Sequence, residues 1–120
     1  MGRVVITGCS GVVGSAIVSY TLQFTKHSLV LVDLKPPSSI EEEFLKTRAD
    51  RVERHSLDLR DFSAWAQVMQ GADALIHLAA FAQPTHVPPH VTHNTNVTLS
   101  YNALQACVEA EVKRVVMAGR

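Results

Sequence analysis

Cysteine is scarce in this chain: its 120 residues hold two, Cys9 and Cys107, almost a full chain apart. Two such thiols build neither a disulfide framework nor a zinc knuckle, and both read as reduced. A charge excess of one sign is missing as well. Eleven Lys and Arg balance eleven Asp and Glu, so no long-range field draws in nucleic acid or an anionic membrane surface. Long hydrophobic runs are also absent. Val4-Val5-Ile6 and Leu29-Val30-Leu31-Val32 fall far short of the roughly 20 residues needed to cross a bilayer. Met1-Gly2-Arg3 leads straight into an apolar run without signal-peptide architecture, and Ile6 stands where a myristoylation signal needs Ser or Thr. These absences predict a cytoplasmic protein that engages neither nucleic acid nor membrane. What remains is ordinary globular composition, 47% hydrophobic and 18% charged, at the length of one domain.

Strand and helix patterns alternate from the first residues. An apolar run at Arg3–Thr7, a glycine-rich turn, a helical stretch of thirteen residues and a second apolar run at Leu29–Asp33 make a βαβ unit. Val13, Ile17, Tyr20 and Phe24 recur at helical steps and predict the stripe that lies against a sheet. Lys35-Pro36-Pro37-Ser38-Ser39 reads as a loop, and Ile40–Ala49 as a charge-rich helix. Val52–Leu57 carries Glu53, Arg54 and His55 among apolar residues, as an edge strand does. Asp61 is placed to cap a helix containing Phe62, Trp65, Val68 and Met69, ended by Gly71. Ala74–Leu78 is a fourth strand, followed by an irregular segment with Pro84, Pro88 and Pro89. The spacing then predicts a long helix over Thr92–Glu109, with Val97, Tyr101, Leu104 and Val108 as its core stripe and Ser100, Ala103 and Cys107 beside it. Arg114–Ala118 is the last strand.

Strands that are apolar on both faces and alternate with helices predict a parallel sheet covered by helices on both sides. Right-handed crossovers make this an α/β, Rossmann-type doubly wound sheet of five strands in the order 3-2-1-4-5. The fifth strand comes two residues before the last residue with nothing to cover its second face. Residues 1–120 are therefore expected to be one domain, truncated at its carboxyl end, with more sheet to follow.

The turn Thr7-Gly8-Cys9-Ser10-Gly11-Val12-Val13-Gly14 follows the first strand and opens the first helix. Gly8 permits a tight exit from the strand, Gly11 lets backbone approach a pyrophosphate, and Gly14 lets the helix sit close on the sheet. Unpaired N–H groups around Val12 and Val13 then face an anion with the positive end of the helix dipole behind them. Gly-x-x-Gly-x-x-Gly alone also fits a tight turn that binds nothing. Asp33 adds weight, since it closes the second strand 19 residues after Gly14, where a carboxylate accepts the hydroxyls of an adenosine ribose. The expected cofactor is a nicotinamide dinucleotide, NAD before NADP, because Asp33 repels a 2′-phosphate. Lys35, two residues on, keeps NADP open.

At these residues the chain resembles the extended short-chain dehydrogenases/reductases, the NAD-dependent epimerase/dehydratase group, with its uronate-dehydrogenase-like members. Thr7–Gly14 has the extended glycine spacing. Asp58-Leu59 is similar to the family's Asp-hydrophobic pair after the third strand, which implies that this carboxylate meets the adenine amino group. His77-Leu78-Ala79-Ala80 resembles the His-x-Ala-Ala/Gly stretch, which implies that Leu78, Ala79 and Ala80 run beside the pyrophosphate and nicotinamide ribose. Asn96-Val97, with Asn102-Ala103-Leu104 and Val112–Val116, resembles the helix-then-strand segment that sets an asparagine near the nicotinamide. Leu99-Ser100 stands where the family usually has Gly-Thr. The expected cofactor residues are Gly8, Ser10, Gly11, Val12, Val13, Gly14, Asp33, Asp58, Leu59, Leu78, Ala79, Ala80 and Asn96.

The resemblance further implies a Ser or Thr past the fifth strand and a Tyr-x-x-x-Lys pair that exchanges a proton as hydride moves to or from nicotinamide. Tyr20 is followed four residues on by Phe24 and Tyr101 by Gln105, and Gly119-Arg120 stands in place of Ser-Ser. No catalytic residue is assigned. The resemblance implies that residues 1–120 are the NAD(P)-binding domain of a longer protein, truncated, with the substrate domain absent. The expected parent activity is that of an oxidoreductase or epimerase acting on a hydroxyl or carbonyl of a sugar-like small molecule, with the 120-residue chain itself inactive. The alternative is a non-catalytic dinucleotide sensor or interaction domain. His86, His90 and His93 lie within eight residues, but prolines interrupt a helix there and no Cys or carboxylate completes a shell, so no metal site is expected. His86 or Thr85 would sit in the ligand-side loop. His77 reads as a satisfied strand-end histidine. Cys9, at a helix start, could be an activated thiol, though the resemblance implies a replaceable loop residue. The Val97/Tyr101/Leu104/Val108 stripe could, by the same resemblance, be part of a homodimer surface.

Overall fold

The structure is a computed structural model and describes residues 2–9, 12–33, 49–78 and 89–117. The strands β1 (Arg3–Thr7), β2 (Ser28–Asp33), β3 (Val52–Ser56), β4 (Ala74–His77) and β5 (Arg114–Met117) form one parallel sheet in the order β3-β2-β1-β4-β5. The helices are α1 (Val12–Phe24), α2 (Phe62–Met69) and α3 (Pro89–Glu109), with a short 3-10 turn at Ala49–Arg51. The order is the one that right-handed crossovers demand of this alternation. Residues 40–48 of the expected charge-rich helix lie outside the described residues.

Sequence alternation sorts the two faces of the sheet. Val5, Val30, Val32 and Leu75 point to the side where Trp65, Val68 and Met69 of α2 and Leu99, Ala103, Ala106 and Cys107 of α3 complete a buried cluster. Ile6, Leu29 and Leu31 point to the other side and meet Cys9, Val18 and Leu22. Residues 29–32 are buried in unbroken succession, which a strand covered on both faces requires. Asp61 caps α2 by accepting from the Ser63 N–H, as the sequence predicts. Gln70 (φ −62°, ψ 126°) and Gly71 (φ 74°) then form a type II turn closed by Ala72 N–H onto Met69 C=O at 3.1 Å. Arg51 closes the far end of α1: its guanidinium donates to the carbonyls of Leu22, Thr25 and His27, which a helix C-terminus otherwise leaves to water.

Two expectations about helix rotation are corrected. In α1, Val13, Tyr20 and Phe24 are exposed, at 64%, 63% and 65%, Ile17 alone of the expected stripe is half-buried against the core, and Gly14, Ser15, Val18 and Leu22 form the inner face. The contact of Gly14 with the preceding turn sets the rotation, and Val18 and Leu22 follow it one and two turns on. In α3, Val97, Tyr101, Leu104 and Val108 are exposed rather than core, and Leu99, Asn102, Ala103, Ala106 and Cys107 face inward. Trp65 and Met69 already fill that side of the sheet, so α3 presents its small residues to them. A third correction concerns the start of α3. Pro89 opens it, three residues before Thr92, because proline fits the first position of a helix, where no N–H partner is needed. His90 and His93 are thus helical and exposed. Among the described residues no three His, Cys, Asp or Glu side chains converge on a metal position, and no helix is long and apolar enough to cross a membrane.

The exit of α3 is strained. Val112 N–H reaches Cys107 C=O at 2.9 Å and Glu111 N–H reaches Val108 C=O at 3.3 Å, the paired bonds of a Schellman ending. Glu111 occupies the left-handed position, φ 59°, where glycine escapes the Cβ penalty. Glu111→Gly is expected to raise stability by about 0.5–1 kcal/mol. Urea titration reads this as a higher midpoint at unchanged slope, and an unchanged or lower midpoint counts against it.

Candidate functional site

Strand register brings the predicted residues to one edge. Thr7 pairs with Val32 on one side and His77 on the other, and Asp33 pairs with Ser56 one step further. The carboxyl ends of β1, β2, β3 and β4 therefore feed Gly8, Asp33, the 57–61 segment and Leu78 to the same margin of the sheet. The strand order reverses between β1 and β4, and such margins are where open α/β sheets bind ligands.

At the centre is the exit from β1. Gly8 has φ 73° and its N–H bonds to Val32 C=O at 3.1 Å, bending the chain sharply off the strand. A Cβ on Gly14 would stand 2.4 Å from Gly8 O and 2.8 Å from Cys9 Cα, so the first turn of α1 lies directly on that bend. Ser15 Oγ donates to Cys9 C=O at 3.3 Å and fixes it from below. No acidic residue stands in the first turn of α1, leaving its amide end positive. The Cys9 side chain is buried, 4.0 Å from Val32 C=O, away from the solvent that a reactive thiol needs. Ser10 and Gly11 lie outside the described residues. Val12 and Asp33 are described by backbone alone: Val12 is the first residue of α1 and Asp33 the last of β2.

Behind β3 the chain turns at Asp58-Leu59-Arg60. Both carboxylate oxygens of Asp58 receive the Arg60 guanidinium, at 2.7–3.2 Å, and Oδ1 also accepts the Arg60 N–H at 3.0 Å. These Arg60 hydrogen bonds hold the Asp58 carboxyl below the ordinary carboxylate range. Leu59 is buried, and its carbonyl accepts from Trp65 Nε1 at 2.8 Å and Asn102 Nδ2 at 3.2 Å. Asn102 also donates to Arg60 C=O at 3.1 Å.

At the β1–β4 junction, Thr7 Oγ1 and His77 Nδ1 share a 2.7 Å hydrogen bond. Leu78 N–H donates to Thr7 at both its carbonyl (3.1 Å) and its hydroxyl (3.2 Å). His77 is buried against Trp65, ring centroids 5.4 Å apart. Burial pushes its pKa down to about 4, so the ring is neutral, as a strand-end histidine satisfied by its neighbours should be. Ala79, Ala80, Thr85 and His86 lie outside the described residues. Asn96 is half-buried on α3. Tyr20 and Tyr101 are exposed on the outer faces of α1 and α3.

Three residues with work at this edge were missed by sequence reasoning: Thr7, Trp65 and Asn102. Asn102 left a trace, a polar residue in register with Leu99 and Ala106 on the small-residue face of α3.

Residues 4–119 match the family described as the NAD dependent epimerase/dehydratase family. The chain is similar to L-arabinose 1-dehydrogenase (NAD(P)(+)) of Haloferax volcanii, 30% identical over 118 residues, covering 98% of this chain and 41% of that protein. It is 29% identical over 121 residues to 3beta-hydroxysteroid-dehydrogenase/decarboxylase isoform 2 of Arabidopsis thaliana, covering 93% of this chain and 21% of the relative. Among solved structures it superposes on a mutated uronate dehydrogenase with a TM-score of 0.77 and 28% identity, over 98% of this chain and 39% of the other. The chain thus spans between 21% and 41% of the length of these relatives.

Proposed function

The chain belongs to the NAD dependent epimerase/dehydratase family, and we propose that residues 1–120 are the dinucleotide-binding portion of an oxidoreductase or epimerase acting on a hydroxyl or carbonyl of a sugar-like small molecule. The observation that carries this is the seat of Gly14 on Gly8. It brings an acid-free helix start to the sheet margin shared by Asp33 and Asp58, a cradle that suits a diphosphate between two sugars.

In this reading the amides of Gly11, Val12 and Val13, with Ser10 beside them, hold the diphosphate at the positive end of α1. Asp33 accepts the adenosine ribose hydroxyls and disfavours a 2′-phosphate, so NAD is preferred to NADP. Asp58 and Leu59 receive the adenine edge. Leu78, Ala79 and Ala80 flank the pyrophosphate and nicotinamide ribose, and Asn96 stands near the nicotinamide end. When bound, the dinucleotide supplies C4 of nicotinamide as hydride donor or acceptor. Acid–base chemistry is left to groups outside these residues, since neither tyrosine is followed by a lysine four positions on.

The test is calorimetric titration of NAD into the parent chain and Val13→Glu. Val13 is exposed in the first turn of α1, where an added carboxylate favours the helix but repels the diphosphate. Saturable binding by the parent is expected, weakened about tenfold or more in the variant, with no loss of thermal stability. Equal affinity in both chains, or no binding by a folded parent, overturns the reading.

A further inference from the structure

The 57–61 turn is held from behind by buried side chains that the proposed cofactor does not touch, and the direction of one peptide unit links them to the cofactor side. The peptide between Leu59 and Arg60 carries Leu59 C=O at one end and Arg60 N–H at the other, pointing opposite ways because the unit is planar and trans. Its carbonyl is drawn inward by two donors, Trp65 Nε1 at 2.8 Å and Asn102 Nδ2 at 3.2 Å. Its N–H is thereby aimed outward, and it meets Asp58 Oδ1 at 3.0 Å. The next carbonyl, of Arg60, is fixed by the same Asn102 amide at 3.1 Å. Asn102 and Trp65 are 7% and 0% exposed, so their two bonds to Leu59 C=O form away from competing water.

We infer that Asn102, with Trp65, is a positioning residue for base recognition: it sets the 59–60 peptide, and that peptide with the Arg60 side chain sets the Asp58 carboxylate. The inference rests on the proposal that Asp58 receives the adenine amino group. Three donors occupy the carboxylate, namely Arg60 N–H, Nε–H and Nη2–H. Nε–H is shared between the two oxygens, so each oxygen carries two of these contacts, and together they fix the direction in which the carboxylate faces a base. A carboxylate so fixed prefers a base with an exocyclic amino donor over one with a carbonyl at the same place. Asn102 therefore sets specificity without touching the ligand.

The experiment compares NAD with nicotinamide hypoxanthine dinucleotide, which replaces the adenine amino group by an oxo group, on the parent chain, Asn102→Ala and Trp65→Phe. The parent should prefer NAD. Asn102→Ala should lower NAD affinity about tenfold while leaving the hypoxanthine analogue nearly unchanged, so that the preference collapses. Amide exchange at Arg60 should speed up in the same variant without any ligand. Trp65→Phe keeps an aromatic ring, though a smaller one, and removes one donor to Leu59 C=O, and should cut the preference partway; it decides the matter if Asn102→Ala does not fold. An equal fall for both dinucleotides, or an undiminished preference, overturns the inference and leaves the proposed function standing. A folded parent that binds neither dinucleotide overturns the proposed function itself.

Discussion

Gly14→Ala is expected to cost at least about 2 kcal/mol of stability, although alanine is the better helix former. Two opposing terms decide the sign. Glycine within a helix is about 1 kcal/mol worse than alanine, which favours the substitution. Against this, the new Cβ would lie 2.4 Å from Gly8 O, 2.8 Å from Cys9 Cα and 3.1 Å from Cys9 C. All three are backbone atoms, so no rotamer change relieves the contact. Gly8 cannot retreat, because its N–H is bonded to Val32 C=O at 3.1 Å and its φ of 73° already defines the bend. The helix must therefore lift at its first turn and loosen Val18 and Leu22 from Ile6, Leu29 and Leu31, with an overpacking cost at or beyond the top of the usual range of about 1–3 kcal/mol, so that about 2 kcal/mol or more remains after the propensity gain. Urea unfolding measures the loss, and NAD titration of whatever remains folded should show weakened binding, since the amides at the helix start move with it. A variant as stable as the parent would mean that α1 is not held by this contact.

The same contact accounts for what was and was not legible in the sequence. The sheet order followed from alternation and handedness, because Leu29–Val32 could be covered only on both faces and Glu53, Arg54 and His55 marked β3 as an edge. The rotation of α1 did not follow. A stripe of large apolar residues, Val13, Ile17, Tyr20 and Phe24, normally faces the core, yet only Ile17 packs against it: a glycine carries no hydrophobic signal, and Gly14 outranked Val13, Tyr20 and Phe24 by seating the helix. In α3 the volume taken by Trp65 and Met69 was decisive, and pairwise filling of space between distant segments leaves no periodic trace in one strand of sequence. Of the candidate site, the glycine turn and Asp33 were visible as residue types at fixed spacing, and Asp58 only through the family resemblance. The bonds of Asn102 to Leu59 and Arg60 span 43 and 42 residues and exist only once α3 lies behind the turn.

The parent chain should lose about 2 kcal/mol of stability between pH 7.5 and 5, and His77→Gln should lose far less. His77 titrates at about 4 in the folded chain against 6.5 when free, because burial disfavours the charged ring. Between those values the unfolded chain binds the proton and the folded one does not, so stability rises with pH through this window. The contribution is complete above pH 6.5 and declines as pH falls toward 4. Integrated over the whole window it amounts to about 3 kcal/mol. Other shifted groups act elsewhere: Glu53 and Asp58 are held below the ordinary carboxylate range by His55 and Arg60, so their losses come below it, and their solvent-facing positions keep those losses small. Glutamine can keep a hydrogen bond to Thr7 Oγ1 without titrating, so the difference between the two chains in urea titrations at several pH values isolates the ring. Equal acid sensitivity in both would mean that His77 does not stay neutral. Because Thr7 also holds the Leu78 N–H, protonation of the folded chain, which sets in only as the pH nears 4, would disturb the β1–β4 margin, so the NAD affinity of the folded chain should hold down to about pH 5 and fall only near 4.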